Sequence, residues 1–155
     1  MELKTGSAES TLDEKSRVNI PVRFREQYQG KLAMTWGIDQ CIYVMTPAAW
    51  EIFEGRLRNS EDFSQEEWRF LENKHLNQVM EVEIDKAGRI AIPPTFRRYA
   101  NLTGKCVVIS SVDGYLSIWD SDTFDAYLAE NDAVARAAFN KLGPRNIFRA
   151  GRSGE

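Results

Sequence analysis

Two arginines stand at equivalent places in a motif that the chain contains twice, and their surroundings suit contact with a nucleic acid. The first copy, at 13–25, reads DEKSRVNIPVRFR, and the second, at 85–97, reads DKAGRIAIPPTFR. In each copy an Asp precedes the Arg by four residues, and a Lys lies in the polar turn between them. The basic side chains are Lys15, Arg17, Lys86 and Arg89. Exposed at a turn, such side chains can reach phosphate oxygens or guanine edges.

The same spacing also has a purely structural explanation, in which each Arg pairs with its Asp and closes the turn. An exposed Asp–Arg pair contributes only about 0–1 kcal/mol, whereas a bidentate Arg–guanine contact discriminates by about 1–3 kcal/mol. Stability alone is therefore a weak reason to keep Asp13–Arg17 and Asp85–Arg89 in both copies. Common descent of the copies explains the repetition as well. Both roles are compatible, since an Asp can orient an Arg that also contacts DNA.

Alternating residues after each turn predict how the arginines are positioned. In the first copy Val18 and Ile20 alternate with Arg17 and Asn19, which is typical of a half-buried strand. The two apolar residues should face a core and the two polar residues should face away. Pro21 lacks a backbone donor and should end this strand.

The repeat extends beyond the turn, because a hairpin and a helix follow each copy. A repeat of this kind predicts one structural unit used twice. The predicted segments are repeat 1 at 7–50, connecting helices at 51–78, repeat 2 at 79–124, C-terminal helices at 125–142 and a mobile basic tail at 143–155. The helix at 47 should be capped by Thr46 and bury Trp50, Phe53 and Leu57, and a capping box formed by Ser64 and Glu67 should begin the next.

Composition is that of an ordinary globular protein, and its charge is unevenly distributed. The net charge is −3, yet residues 85–105 carry five basic residues against Asp85 alone, and 113–132 carry six acidic residues and no basic one. Such segregation permits a basic face on an acidic chain. The chain lacks an apolar run of about 18 residues and an export signal, so we expect a soluble cytoplasmic protein.

The residues that could support catalysis or metal binding have simpler explanations. Cys41 and Cys106 each lie in an apolar run and should be small buried thiols, and His75 should be a packed or half-exposed helix residue. The common catalytic and nucleotide-binding motifs do not occur. We therefore predict no enzyme activity, no catalytic or metal-binding residue, no cofactor and no small-molecule substrate.

The doubled pattern Asp-x-x-x-Arg-[Val/Ile]-x-Ile-Pro, followed by a Phe-Arg helix, resembles the MraZ family of bacterial transcription regulators over about residues 5–130. The resemblance implies an α+β, mainly β fold in which two AbrB-like, swapped-hairpin halves form one β-barrel. It also implies ring-shaped homo-oligomers that bind short direct repeats in double-stranded promoter DNA, hence a cytoplasmic protein associated with the nucleoid. Arg17 and Arg89 would contact bases or phosphates, supported by Lys15 and Lys86. The alternative function is a non-catalytic oligomeric scaffold for protein interactions.

One turn departs from the family pattern. The residue before the Arg is Gly88 in the second copy, as is usual in the family, but Ser16 in the first. If the position requires a left-handed backbone, Ser16 costs about 1–2 kcal/mol relative to Gly. Either the first turn has a different shape, or its role in DNA binding is weaker. Asp13, Ser16, Asp85 and Gly88 are thus the predicted turn-shaping residues.

Overall fold

A computed structural model describes residues 4–143 and 147–150 of the protein. The fold belongs to the α+β class, and its main sheet is antiparallel. The strands are β1 (Gly6–Thr11), β2 (Arg17–Asn19), β3 (Leu32–Trp36), β4 (Ile42–Met45), β5 (Met80–Val82), β6 (Arg89–Ala91), β7 (Lys105–Ser110) and β8 (Tyr115–Asp120). The α-helices are α1 (Val22–Arg25), α2 (Pro47–Arg58), α3 (Gln65–Leu71), α4 (Pro94–Ala100), α5 (Ser121–Glu130) and α6 (Asp132–Leu142).

The chain divides into two compact units, Met1–Thr123 and Phe124–Glu155. The eight strands of the described residues all lie in the first unit. In the second unit α6 carries an exposed ion pair, with Arg136 Nε 2.8 Å from Asp132 Oδ2. Two arginines of the predicted basic tail, Arg145 and Arg152, lie outside the described residues. The division into five segments stays a prediction.

Strand pairing interlocks the two sequence repeats. The six-stranded sheet has the order β1-β7-β8-β4-β3-β5, so the first strand of each repeat pairs with the hairpin of the other. The remaining two strands, β2 and β6, form a separate antiparallel ribbon, with Val18 opposite Ile90. In the described residues β1 and β5 are edges of the sheet, so the hydrogen-bonded strands do not form the closed barrel that we expected.

The core lies beneath the ribbon. Val18 and Ile20 are fully buried. Of their counterparts in the second copy, Ile90 is fully buried and Ile92 is 2% exposed. Burying a side chain of this kind contributes about 1.5–3 kcal/mol. Asn19 and Ala91 alternate with them and are exposed. The predicted alternation is confirmed in both copies.

The helix caps form as predicted, but the stripe on α2 is less buried than expected. Ser64 and Glu67 make the reciprocal bonds of a capping box at 2.9 and 3.1 Å, and Thr46 caps α2. The prediction that Trp50, Phe53 and Leu57 are buried is wrong, because all three are half-buried. Phe53 and Leu57 line an open groove beside the hairpins.

After α3 the chain makes a π-helical turn, Glu72–Leu76, that brings His75 into the core. The imidazole is 5% exposed, and its Nδ1 lies 2.8 Å from the carbonyl oxygen of Trp36. Since a carbonyl only accepts, Nδ1 carries the proton and donates. Burial is the main cause that lowers the pKa of His75 below its ordinary value. The lone histidine is thus a packed residue, as predicted, and buried more deeply than its spacing indicates.

Stability should consequently depend on pH through His75, the chain's single histidine. Because the pKa of His75 is lower in the folded state, the unfolded state takes up a proton at a higher pH than the folded state does. The contribution of neutral His75 to the free energy of unfolding is therefore complete above about pH 6.5 and is lost as the pH falls below it. In His75→Gln the amide can still donate to Trp36, and the unfolding temperature should fall less between pH 7 and pH 5. Thermal unfolding followed by circular dichroism measures both profiles. Parallel profiles would contradict this assignment.

Candidate nucleic-acid interface

The first turn is organised by the carboxylate of Asp13. Its Oδ1 accepts hydrogen bonds from the backbone N–H groups of Lys15 and Arg17, each at 2.9 Å. Its Oδ2 accepts from Nε of Arg17, also at 2.9 Å. The Asp13 N–H in turn donates to the Arg17 carbonyl at 2.9 Å, which closes the turn. One side chain therefore determines the shape of the turn and the direction of the arginine.

The second turn repeats this pattern around Asp85. Oδ1 accepts from the N–H groups of Ala87 and Arg89 at 3.0 and 2.9 Å, and Oδ2 lies 3.2 Å from Nε of Arg89. Ala87 here occupies the place of Lys15, so Lys86 stands one position earlier in its turn. Both lysines are exposed. The two turns thus present equivalent arginines and non-equivalent lysines.

These hydrogen bonds keep both carboxylates charged. The backbone N–H of Arg17 is the main cause that lowers the pKa of Asp13, and the N–H of Arg89 does the same for Asp85. Each arginine uses Nε for its carboxylate, and within residues 4–143 and 147–150 its Nη atoms meet no acceptor. Those Nη donors remain available for a partner such as a phosphate or a base edge.

Ser16 adopts the same left-handed backbone as its glycine counterpart, with φ of 60° against 84° at Gly88. The alternative in which the first turn has a different shape is therefore wrong. The positions of Ser16 and Gly88 differ in which side chain packs against them. A Cβ at Gly88 would overlap the guanidinium of Arg25, which donates from Nε to the Ile20 carbonyl at 2.7 Å. Gly88 is thus favoured by its backbone conformation, and a side chain there would also have to displace the Arg25 guanidinium from its hydrogen bonds.

The β2–β6 ribbon brings Arg17 and Arg89 together on one exposed face. Arg17 lies opposite Ala91, and Arg89 lies opposite Asn19, so the two arginines are diagonal neighbours. Diagonal positions of an antiparallel pair are about 7–8 Å apart. The arginine side chains are 25% and 35% exposed. Sequence reasoning placed each Arg outward but missed this pairing. The available signal was two similar short strands, Arg-Val-Asn and Arg-Ile-Ala, each followed by Ile-Pro and each lacking a partner in its own repeat.

The other reactive side chains are sequestered from this face. Cys41 and Cys106 are free and buried, and burial raises the pKa of their thiols to about 12 and about 11. They remain protonated at neutral pH, as small buried thiols should. Within the described residues no cluster of His, Cys, Asp or Glu could hold a metal ion. Nor does that part of the chain contain a helix with the length and apolarity needed to cross a membrane.

A duplicated α+β unit whose halves share a two-stranded ribbon with paired Asp–Arg turns defines a two-repeat class of protein. A family model described as "MraZ protein, putative antitoxin-like" matches residues 3–74 and 76–142. The chain belongs to the MraZ family, which is a regulator-like family and not an enzyme family. The two matches meet in the π-helical turn, so each contains one copy of the motif.

The left-handed serine yields a stability prediction. Ser16→Gly removes a strained Cβ, and Ser16 makes no side-chain hydrogen bond within the described residues to compensate. We expect stabilisation of about 1 kcal/mol, or about 2–4 °C in Tm, by thermal and urea unfolding. Gly88→Ser is the matched reverse change, and it should destabilise by more than this because its Cβ overlaps Arg25. A neutral or destabilising Ser16→Gly would show that the serine backbone is not strained.

Proposed function

We propose that the protein is a sequence-specific transcriptional regulator that binds short direct repeats in double-stranded promoter DNA. Its targets would be its own promoter and the division and cell-wall gene cluster, bound by a ring-shaped homo-oligomer at the nucleoid in the cytoplasm. One observation carries the proposal: Arg17 and Arg89 share the exposed face of a two-stranded ribbon. Family membership supports the regulatory role.

The dimensions of the ribbon suit the major groove of B-DNA. Neighbouring strands lie about 4.8 Å apart, and three residues extend about 10 Å. The major groove is about 12 Å wide and admits a two-stranded ribbon whose side chains face the base edges. Arg17 and Arg89, each held by its Asp through Nε, would direct their Nη atoms to guanine O6 and N7. Lys15 and Lys86, in the turns beside them, would contact phosphates.

The strand exchange supports a finer description of the fold as duplicated, AbrB-like swapped hairpins. β1 of the first repeat pairs with β7 of the second, and β5 of the second pairs with β3 of the first. In this arrangement β2 and β6 can meet only when both repeats have folded. The ribbon would then be a joint product of the two repeats.

The small number of DNA contacts that one ribbon can make is the reason to propose that several copies of the chain bind together. A single ribbon offers two arginines and two flanking lysines, which is a small number of contacts for specific binding. A ring would bring several ribbons to regularly spaced repeats at high effective concentration, so that weak contacts add up. The proposal therefore requires contacts between copies.

Removing both arginines tests the DNA site. Arg17→Ala with Arg89→Ala should reduce binding to DNA from upstream of the gene by at least about 30-fold, because two base contacts of about 1–3 kcal/mol each are lost. Unfolding temperature and mass should stay nearly unchanged, since an exposed ion pair contributes little. Gel shift or fluorescence anisotropy measures binding, with shuffled repeats as the DNA control.

Arg136→Ala is the matched protein control, because Arg136 is an exposed arginine paired with Asp132 outside the ribbon. It should bind as the wild type does. Phosphate contacts also predict that wild-type affinity falls steeply with added salt. Wild-type affinity in the double variant would contradict the site. Indifference of the wild type to DNA would instead favour the second candidate function, a non-catalytic oligomeric scaffold.

An apolar groove of about 430 Å³ supports contacts between copies, which both candidate functions require. It is lined by Ile38, Tyr43, Met45, Ala49, Ile52, Phe53, Arg56, Leu57, Asp113 and Tyr115. Its lining carries a positive charge, from Arg56 on α2, and a negative charge, from Asp113 in the β7–β8 turn. A second copy of this chain would bring both apolar surface and opposite charges to such a site.

Charging the rim of the groove tests these contacts. Ile52 is 64% exposed, so Ile52→Glu should leave the fold intact while burying an unpaired charge in any assembly. We expect the mass from light scattering to fall from a multiple of 17.7 kDa to a single chain. Val22→Glu, at a residue 75% exposed and away from the groove, is the control and should keep the wild-type mass. An unchanged mass for Ile52→Glu would exclude this groove as the contact.

A further inference from the structure

The ribbon has approximate two-fold symmetry. Two residues on its exposed face, Asn19 and Ala91, differ from each other and so break this symmetry. The axis passes between Val18 and Ile90, which lie opposite each other and come from equivalent positions of the two repeats. It relates Arg17 to Arg89, and it also relates Asn19 to Ala91. One end of the ribbon therefore pairs Arg17 with Ala91, and the other pairs Arg89 with Asn19.

The two unlike residues, Asn19 and Ala91, are both exposed. Asn19 is held in place, because its Oδ1 accepts a hydrogen bond from Nη2 of Arg25 at 3.1 Å. Arg25 is in turn fixed by its bond to the Ile20 carbonyl. Because Oδ1 faces the Arg25 guanidinium and one of its two lone pairs is used there, the free hydrogen-bonding groups of Asn19 are mainly the two hydrogens of Nδ2, which meet no acceptor among the described residues. Ala91 presents only a methyl group.

We propose that Asn19 and Ala91 are specificity-determining residues that make the two ends of the ribbon read different base pairs. This inference rests on the proposed DNA-binding function. Beside Arg89, the Asn19 amide donates to a base edge that carries an acceptor, and it rejects cytosine, whose major-groove edge offers only a donor. Beside Arg17, the Ala91 methyl group packs against the methyl group of thymine.

This asymmetry gives the site a direction. A protein face with strict two-fold symmetry reads a palindrome, because both halves recognise the same bases. The unlike pair of Asn19 and Ala91 breaks that equivalence while leaving both guanine-reading arginines in place. Each copy of the chain then reads a site with polarity, which is the kind of site that a direct repeat consists of.

Selection from a random double-stranded DNA library tests the inference, using the full-length wild type, Asn19→Ala and Ala91→Asn. The wild type should select a non-palindromic site that excludes cytosine at one position by about tenfold. Asn19→Ala should lose that exclusion and keep the guanine preferences and the salt dependence. Ala91→Asn should exclude cytosine at the symmetry-related position as well, so that the selected site becomes palindromic at these two positions.

The outcomes distinguish failure of this inference from failure of the proposed DNA-binding function. If Asn19→Ala selects the wild-type site at every position, the assignment of Asn19 is wrong although DNA binding stands. If the wild type selects no site at all, the proposed function fails and this inference fails with it. Unfolding temperatures of both variants show whether a changed site reflects recognition or loss of fold, and Asn19→Ala decides the matter if Ala91→Asn does not fold.

Discussion

Two backbone hydrogen bonds between the repeats are the constraint on which the candidate site depends. The N–H of Ile20 donates to the Gly88 carbonyl at 2.7 Å, and that of Ile92 donates to the Ser16 carbonyl at 2.9 Å. Both acceptors are the left-handed residues of the turns. Each turn is thus anchored to the strand that leaves the other, and the ribbon requires both turns at once. A single repeat would lack both bonds, each of which contributes about 0.5–1.5 kcal/mol net.

That dependence explains why two turns of unlike sequence have the same shape. The Ser16 carbonyl accepts from Ile92 while Ser16 holds a left-handed backbone, a conformation that suits glycine better than serine. Strain of this size persists only where the surrounding structure determines it. At Gly88 the constraint is stronger, since Arg25 occupies the space of a side chain. The same Arg25 orients Asn19, so packing at the second turn also shapes the exposed face.

Local features of this structure could be read from the sequence, and long-range ones could not. Alternation predicted that Val18 and Ile20 are buried beneath Arg17, because side-chain direction follows from strand geometry alone. The capping box at Ser64 is likewise local. The pairing of β2 with β6 joins residues about 70 positions apart, and no local pattern encodes it. The burial of His75 depends on a π-helical turn that shifts the helical register, which regular spacing cannot anticipate.

The two explanations of the Asp–Arg pair are compatible in this geometry. An exposed arginine has about 2 kcal/mol of rotamer entropy to lose when it binds. Asp13 and Asp85 restrict that freedom in advance by holding Nε, and their own positions are fixed by backbone N–H groups of the turns. Pre-organisation of this kind lowers the entropic cost of a later contact. Under the proposed function, the ion pair would add little to the free energy of unfolding and more to recognition, because the Nη donors stay unoccupied within the described residues.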